Sequence, residues 1–209
     1  MALFIALWVM NASPDVKQAV SGYFKNAHGF GAADGRQSGD NATPARDDNM
    51  AQLQSEIERA LRASPEFETI RRNVLLSLTA EGLRIEMVET EQGMFFVNGS
   101  PTPTQAGKLL LKLLAAEIGR MPNGVVIEGH TDAHPFRDST PAAAYTNWEL
   151  STERANVARR LLCVYGVRAS QVTEVRGFAE RRPMDPADPG GVRNRRISLV
   201  VEFMVTEER

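Results

Sequence analysis

Along the C-terminal half of the chain, the spacing of apolar positions switches repeatedly between a strand period and a helix period. Val125 to Glu128 reads as a buried strand, Asn147 to Tyr165 as a helix and Val172 to Gly177 as a second strand. A loop rich in Pro and Gly follows from Pro183 to Gly191, and Arg196 to Met204 reads as a third strand. In that strand Ile197, Leu199, Val201 and Phe203 share one face; Arg196, Ser198 and Glu202 take the other, with Val200 the exception. Strand alternating with helix predicts helices packed on one sheet, partly parallel because of β-α-β crossovers.

Upstream, Leu53, Ile57, Ala60 and Leu61 describe a helical face that ends near Ser64 and Pro65, and a second short helix is expected through Phe67 and Ile70. Val74 to Leu78 and Leu83 to Val88 alternate as two strands joined through Glu81 and Gly82, which predicts a hairpin. Gly99, Pro101 and Pro103 mark a loop before Ala106, Leu109, Leu110, Leu113, Leu114 and Ile118, the apolar face of a buried helix. The chain shows no internal repeat.

The N-terminal pattern differs. Met1 to Met10 carries no charge and no helix breaker, but as a helix it would cover only ~15 Å of a hydrocarbon core ~30 Å thick. With no basic residue before Lys17, a secretory signal is a poor fit, and residues 1–13 are expected to be part of a transmembrane helix. Ser13 and Pro14 suit a helix start, and Val16, Ala19, Val20, Tyr23 and Phe24 recur at helical spacing, so residues 14–25 read as a short amphipathic helix. Residues 26–47, rich in Gly, Ala, Asp and Asn, have the composition of a flexible linker. The globular domain is expected over residues 48–209.

Composition narrows the chemistry. Net charge is -2, without a basic block long enough to follow a phosphate backbone, so nucleic acid is not an expected partner. The single cysteine, Cys163, excludes an internal disulfide and reads as a small buried hydrophobe in a helix. No nucleophile elbow, phosphate-cradling loop or dinucleotide fingerprint appears, so neither catalysis nor a cofactor is expected.

Gly129 to Phe136, GHTDAHPF, lies where a buried strand gives way to a loop, the position at which open sheets collect ligands. His130, Asp132 and His134 alternate, which admits a metal site, but the only further histidine, His28, falls in the linker. Arg154 is the sharper signal. It projects from the middle of the helical stripe Leu150, Val157, Leu161, Tyr165, and a guanidinium against apolar surface requires a partner or a ligand. Either it forms a structural ion pair with Asp132 or another acid, or the two are a receptor, Asp132 for an ammonium and Arg154 for a carboxylate.

Gly129-His130-Thr131-Asp132, Leu150-Ser151-x-x-Arg154-Ala155, Gly177 and Asn194-Arg195-Arg196, in that order, resemble the OmpA-like family. The resemblance implies a β-α-β-α-β domain of the α/β (α+β) class, with a mixed sheet and helices, that binds the diaminopimelate of peptidoglycan non-covalently. It makes Asp132 and Arg154 the anchors, with Thr131, Leu150 and Asn194 as further ligand-side positions.

Tyr145 to Arg154, Met1 to Met10 and Pro14 to Phe24 resemble the stator proteins of bacterial flagellar motors, the MotB family. That likeness implies a homodimer, spanning the inner membrane once, with its C-terminal domain in the periplasm and a MotA-like channel subunit as partner. It makes Val16, Val20, Tyr23 and Phe24 part of a plug-like helix. Residues 1–14 hold no carboxylate, so the proton-carrying aspartate of that family is not among them and the chain as given should not conduct. A non-motor envelope tether or secretion-system wall anchor is the alternative. The loop after Gly99 departs from the family pattern, because Pro101 follows Ser100.

Overall fold

The computed structural model describes residues 44–63, 65–136 and 145–204. The expected transmembrane and plug segments and most of the linker lie outside them. Among the described residues no helix is long and apolar enough to cross a membrane.

Helix α1 (Pro44–Ala63) leads through two 3₁₀ turns, Pro65–Phe67 and Ile70–Asn73, into the hairpin of β1 (Val74–Leu78) and β2 (Gly82–Val88). Helix α2 (Gln105–Ile118), β3 (Val125–His130), α3 (Asn147–Val164), β4 (Val172–Gly177) and β5 (Arg196–Glu202) follow. The five strands form one mixed sheet in the order β1-β2-β5-β3-β4. Only the β3–β4 pair, joined by the α3 crossover, is parallel; the other neighbours are antiparallel. The expected α+β class and the hairpin are therefore present. Two details differ: α1 begins inside the segment read as linker, and the expected helix through Phe67 and Ile70 is two separate 3₁₀ turns.

One sheet face carries Leu83, Ile85, Met87, Val125, Ile127, Ile197, Leu199 and Val201 and packs with Leu53, Ile57, Leu110, Leu111, Leu114, Ile118, Ala155, Ala158 and Leu162 of the helices. In α2 the buried stripe runs through Leu110, Leu111, Leu114, Ala115 and Ile118, while Leu109 and Leu113 are half-buried at its margin. The same rotation occurs in α3. Its buried face is Leu150, Ser151, Arg154, Ala155, Ala158 and Leu162, with Val157, Leu161 and Tyr165 at the edge. Small residues let a helix approach its neighbours closely, so Ala155 and Ala158, rather than the larger side chains, define the contact line. Cys163 is only half-buried for the same reason.

Two glycines allow this approach. A Cβ on Gly129 would stand 2.0 Å from the Ser151 carbonyl oxygen, and one on Gly177 would stand 2.0 Å from Thr152 Oγ1. Gly129 and Gly177 are register partners across β3 and β4, so the first turn of α3 rests directly on bare backbone. A capping box starts that helix: Glu149 accepts the Thr146 N–H at 2.8 Å and Thr146 Oγ1 accepts the Trp148 N–H at 3.2 Å.

The opposite sheet face is charged yet largely buried. Arg84 and Arg176 reach Glu128 at 2.7 and 3.1 Å, and Arg196 reaches Glu86 at 3.1 Å. Ser198 donates a further hydrogen bond to Glu86. These pairs explain why Arg196 and Ser198, read from sequence as the polar side of the last strand, are buried in a central one.

Because the Ser151 carbonyl cannot move without moving α3, Gly129→Ala is expected to destabilise the fold by about 1–3 kcal/mol, the usual cost of overpacking. Urea unfolding followed by circular dichroism measures it; an unchanged midpoint would contradict this close packing.

Candidate functional site

Beyond the end of β3 the chain turns over the start of α3, and the motif residues gather around one pocket of about 460 Å³. Thr131, Asp132, His134, Pro135 and Phe136 form one wall, Asn147, Leu150 and Arg154 of α3 another, and Asn98, Gly99 and Arg195 close it. A groove of similar size, lined in part by Arg72, Leu75, Val88, Glu91 and Arg193, opens elsewhere and holds none of the residues predicted to bind ligand.

Backbone contacts fix the Asp132 wall. Thr131 N–H donates to Ala179 O at 2.9 Å, Ala133 N–H to Pro189 O at 2.9 Å, and Ala179 N–H to Ser151 Oγ at 3.1 Å. Asn147 Nδ2 donates to the carbonyls of Asp132 and His134 at 3.3 and 3.0 Å. Asp132 Oδ1 accepts the His134 N–H at 3.1 Å, a local turn of the kind Asp favours. Its Oδ2 lies 3.6 Å from Arg195 Nε.

Arg154 is 4% exposed and forms no ion pair with Asp132 among the described residues. Its Nε donates to Ser100 O at 2.9 Å and its Nη2 to Val97 O at 3.2 Å, while the guanidinium carbon stands 5.6 Å from the Phe96 ring centroid. Burial lowers its pKa from the ordinary arginine value, opposed chiefly by Glu89 and reinforced by Arg195. Glu89 is spent elsewhere, accepting the amides of Met94, Phe95 and Phe96 at 2.6, 3.1 and 2.8 Å. Arg154 thus stands at the pocket wall, hydrogen-bonded to neutral carbonyls, with guanidinium capacity left for an anion.

Thr131, Asp132, Leu150 and Arg154 are brought together as the sequence suggested. Asn194 is not among them. Its side chain accepts the Asp185 N–H at 2.9 Å and donates to Asp188 O and Pro189 O at 2.7 and 3.1 Å, so it shapes the loop that supports Ala133. Arg195, to which the sequence assigned no ligand role, lines the pocket; its place in the Asn-Arg-Arg motif was the one available signal. The loop after Gly99 takes part despite Pro101, through the carbonyls that hold Arg154.

The alternating His130, Asp132 and His134 do not converge. His130 is 1% exposed and stacks on Phe178 at 5.2 Å, whereas His134 is 74% exposed, and no group of three or more His, Cys, Asp or Glu among the described residues is placed to hold a metal.

The OmpA family matches residues 95–196, the segment that contains every wall of this pocket. Over that segment the chain is similar to the OmpA family. It is also 31% identical to motility protein B of Escherichia coli over 152 residues, 73% of this chain and 49% of that protein. The chain thus spans about half the length of that relative. The periplasmic domain of Helicobacter pylori MotB superposes with a TM-score of 0.55 at 20% identity, covering 64% of this chain and 84% of that one. The cell wall anchor of the type VI secretion system of Pseudomonas aeruginosa does so with a TM-score of 0.56 at 21% identity, covering 71% and 97%. These two likenesses establish the fold of the domain and, at that identity, only the fold.

His130 links the domain's stability to pH. Burial depresses its pKa below the ordinary histidine value; Glu128, with Oε2 at 3.7 Å from Nε2, and Glu86 oppose this, while Arg196 adds to it. For Glu128, burial would raise the pKa, but His130 and Arg84 hold it at about 2. A depressed histidine contributes stability above its unfolded pKa of about 6.5 and loses it as pH falls. The Glu128 contribution is lost only below about 4.5. Stability is therefore expected to decline as pH falls below about 6.5, and His130→Phe to flatten that decline; urea midpoints at pH 7.5, 6 and 5 test it.

Proposed function

We propose that this chain is a stator subunit of a bacterial flagellar motor that holds its complex to peptidoglycan, so that ion flow elsewhere in the complex generates torque. The observation that carries the wall-binding part is the separation of two opposite charges. Asp132 and Arg154 line one pocket without bonding to each other, and Leu150 lines the same pocket. A carboxylate and a buried guanidinium that are not bonded to each other, in a pocket with apolar lining, suit the zwitterionic end of an amino acid. In peptidoglycan that end is the side chain of diaminopimelate in the stem peptide. Holding it requires no bond to be made or broken, so the role is binding and not catalysis.

The motor part rests on the 31% identity to motility protein B. In this reading the chain works as a homodimer with a MotA-like channel subunit, crosses the inner membrane once and places the OmpA-family domain in the periplasm. Val16, Val20, Tyr23 and Phe24 then belong to a plug-like helix over the channel. A secretion-system or envelope wall anchor without ion flow is the second reading, favoured by the fold it shares with the Pseudomonas anchor.

Asp132→Ala and Arg154→Ala are each expected to reduce co-sedimentation of the chain with purified peptidoglycan by about tenfold or more, the loss typical of a charge-assisted contact. Unchanged sedimentation of both variants would refute the ligand assignment. Co-purification of a MotA-like channel subunit with the chain from membranes supports the motor, whereas wall binding without such a partner supports the tether.

A further inference from the structure

Arg195 is held more firmly than a strand entrance needs. Its Nη1 donates to Asn98 Oδ1 at 3.1 Å and its Nη2 to Thr90 O at 3.0 Å, which fixes the guanidinium plane against the 90–98 segment. The side chain is only 15% exposed, and its buried Nε, without a hydrogen-bond partner, lies 3.6 Å from Asp132 Oδ2. Glu91 stands 3.7 Å from Nη2 but is 76% exposed, so water screens it. The pocket wall therefore carries two fixed guanidiniums, Arg154 and Arg195, against one carboxylate, Asp132. Glu89 lies behind the 94–96 turn with its oxygens on backbone amides, and His134 is largely in solvent.

We propose that Arg195 is a specificity-determining residue: by pairing with Asp132 it leaves the pocket one positive charge in excess, so the pocket selects ligand ends that carry a free carboxylate and rejects those amidated there. This rests on the wall-binding reading above. With Asp132 already opposed by Arg195, a ligand ammonium gains less from Asp132 than it would from an unopposed carboxylate. The carboxylate has to supply the favourable charge, and Arg154 is the cation still without an anionic partner. Replacing that carboxylate by a carboxamide leaves the ligand ammonium uncompensated beside two guanidiniums, in a partly buried site where like charges are poorly screened.

The test uses the full chain and two synthetic tetrapeptides containing diaminopimelate, identical except that one has its side-chain carboxylate converted to the carboxamide. Calorimetric titration of the wild type is expected to show the amidated peptide bound at least about tenfold more weakly. Arg195→Gln removes the excess charge and should narrow that ratio to about threefold or less, whereas Arg195→Lys, which keeps the charge, should preserve most of it. Equal binding of the two peptides by the wild type overturns the proposal whether or not the variants fold. So does a folded Arg195→Gln protein with the wild-type ratio. Wild-type chain that binds neither peptide overturns the wall-binding reading and this proposal with it, an outcome distinct from the other two.

Discussion

The contact on which the site depends is the seating of the first turn of α3 on the backbone of β3 and β4, at the paired positions Gly129 and Gly177. The Ser151 carbonyl lies 2.0 Å from where a Gly129 Cβ would be, a separation no other side chain permits. From that seat, Ser151 Oγ takes the Ala179 amide and Thr131 is tied to the Ala179 carbonyl. Asp132 follows directly. One helical position after Glu153, Arg154 arrives beneath the 97–100 segment, where two carbonyls receive it. A helix lifted by even one methyl group would separate the two halves of the pocket.

The domain uses buried arginine in two ways, and the contrast bears on function. On the charged sheet face, Arg84, Arg176 and Arg196 meet Glu86 and Glu128 at ion-pair distance, so their charge is consumed within the fold. Such pairs offset their own desolvation and little more. Arg154 is buried more deeply than Arg84 or Arg176 but meets only carbonyl oxygens and an aromatic ring. Its charge is positioned without being neutralised, the condition that lets a fixed cation bind an external anion strongly. Arg195 is intermediate, sharing itself between backbone, Asn98 and Asp132.

Much of this was legible in the sequence. Strand and helix periods marked the sheet and its helices to within a few residues, because burial of one face repeats along each element whatever it packs against. The Gly-His-Thr-Asp and Leu-Ser-x-x-Arg-Ala motifs located Asp132 and Arg154, since a carboxylate at a strand end and a cation on a buried helix face are local features. The helical wheel misplaced the centre of the α3 stripe: it weighted Val157, Leu161 and Tyr165 by size, whereas the close approach is made by Ala155 and Ala158.

What only the tertiary structure decided is who meets whom. His130 and His134 sit four residues apart in the chain, yet the strand's alternation ends between them and leaves one buried and the other in solvent. Asn194 and Arg195 are neighbours in the motif, yet one side chain turns into its own loop and the other across to Asp132. The sequence by itself determined that Arg154 would be buried and in need of partners. That these would be the carbonyls of Val97 and Ser100, 57 and 54 residues away, could not be read from it, because every residue carries a carbonyl and only the fold selects which ones face a cation.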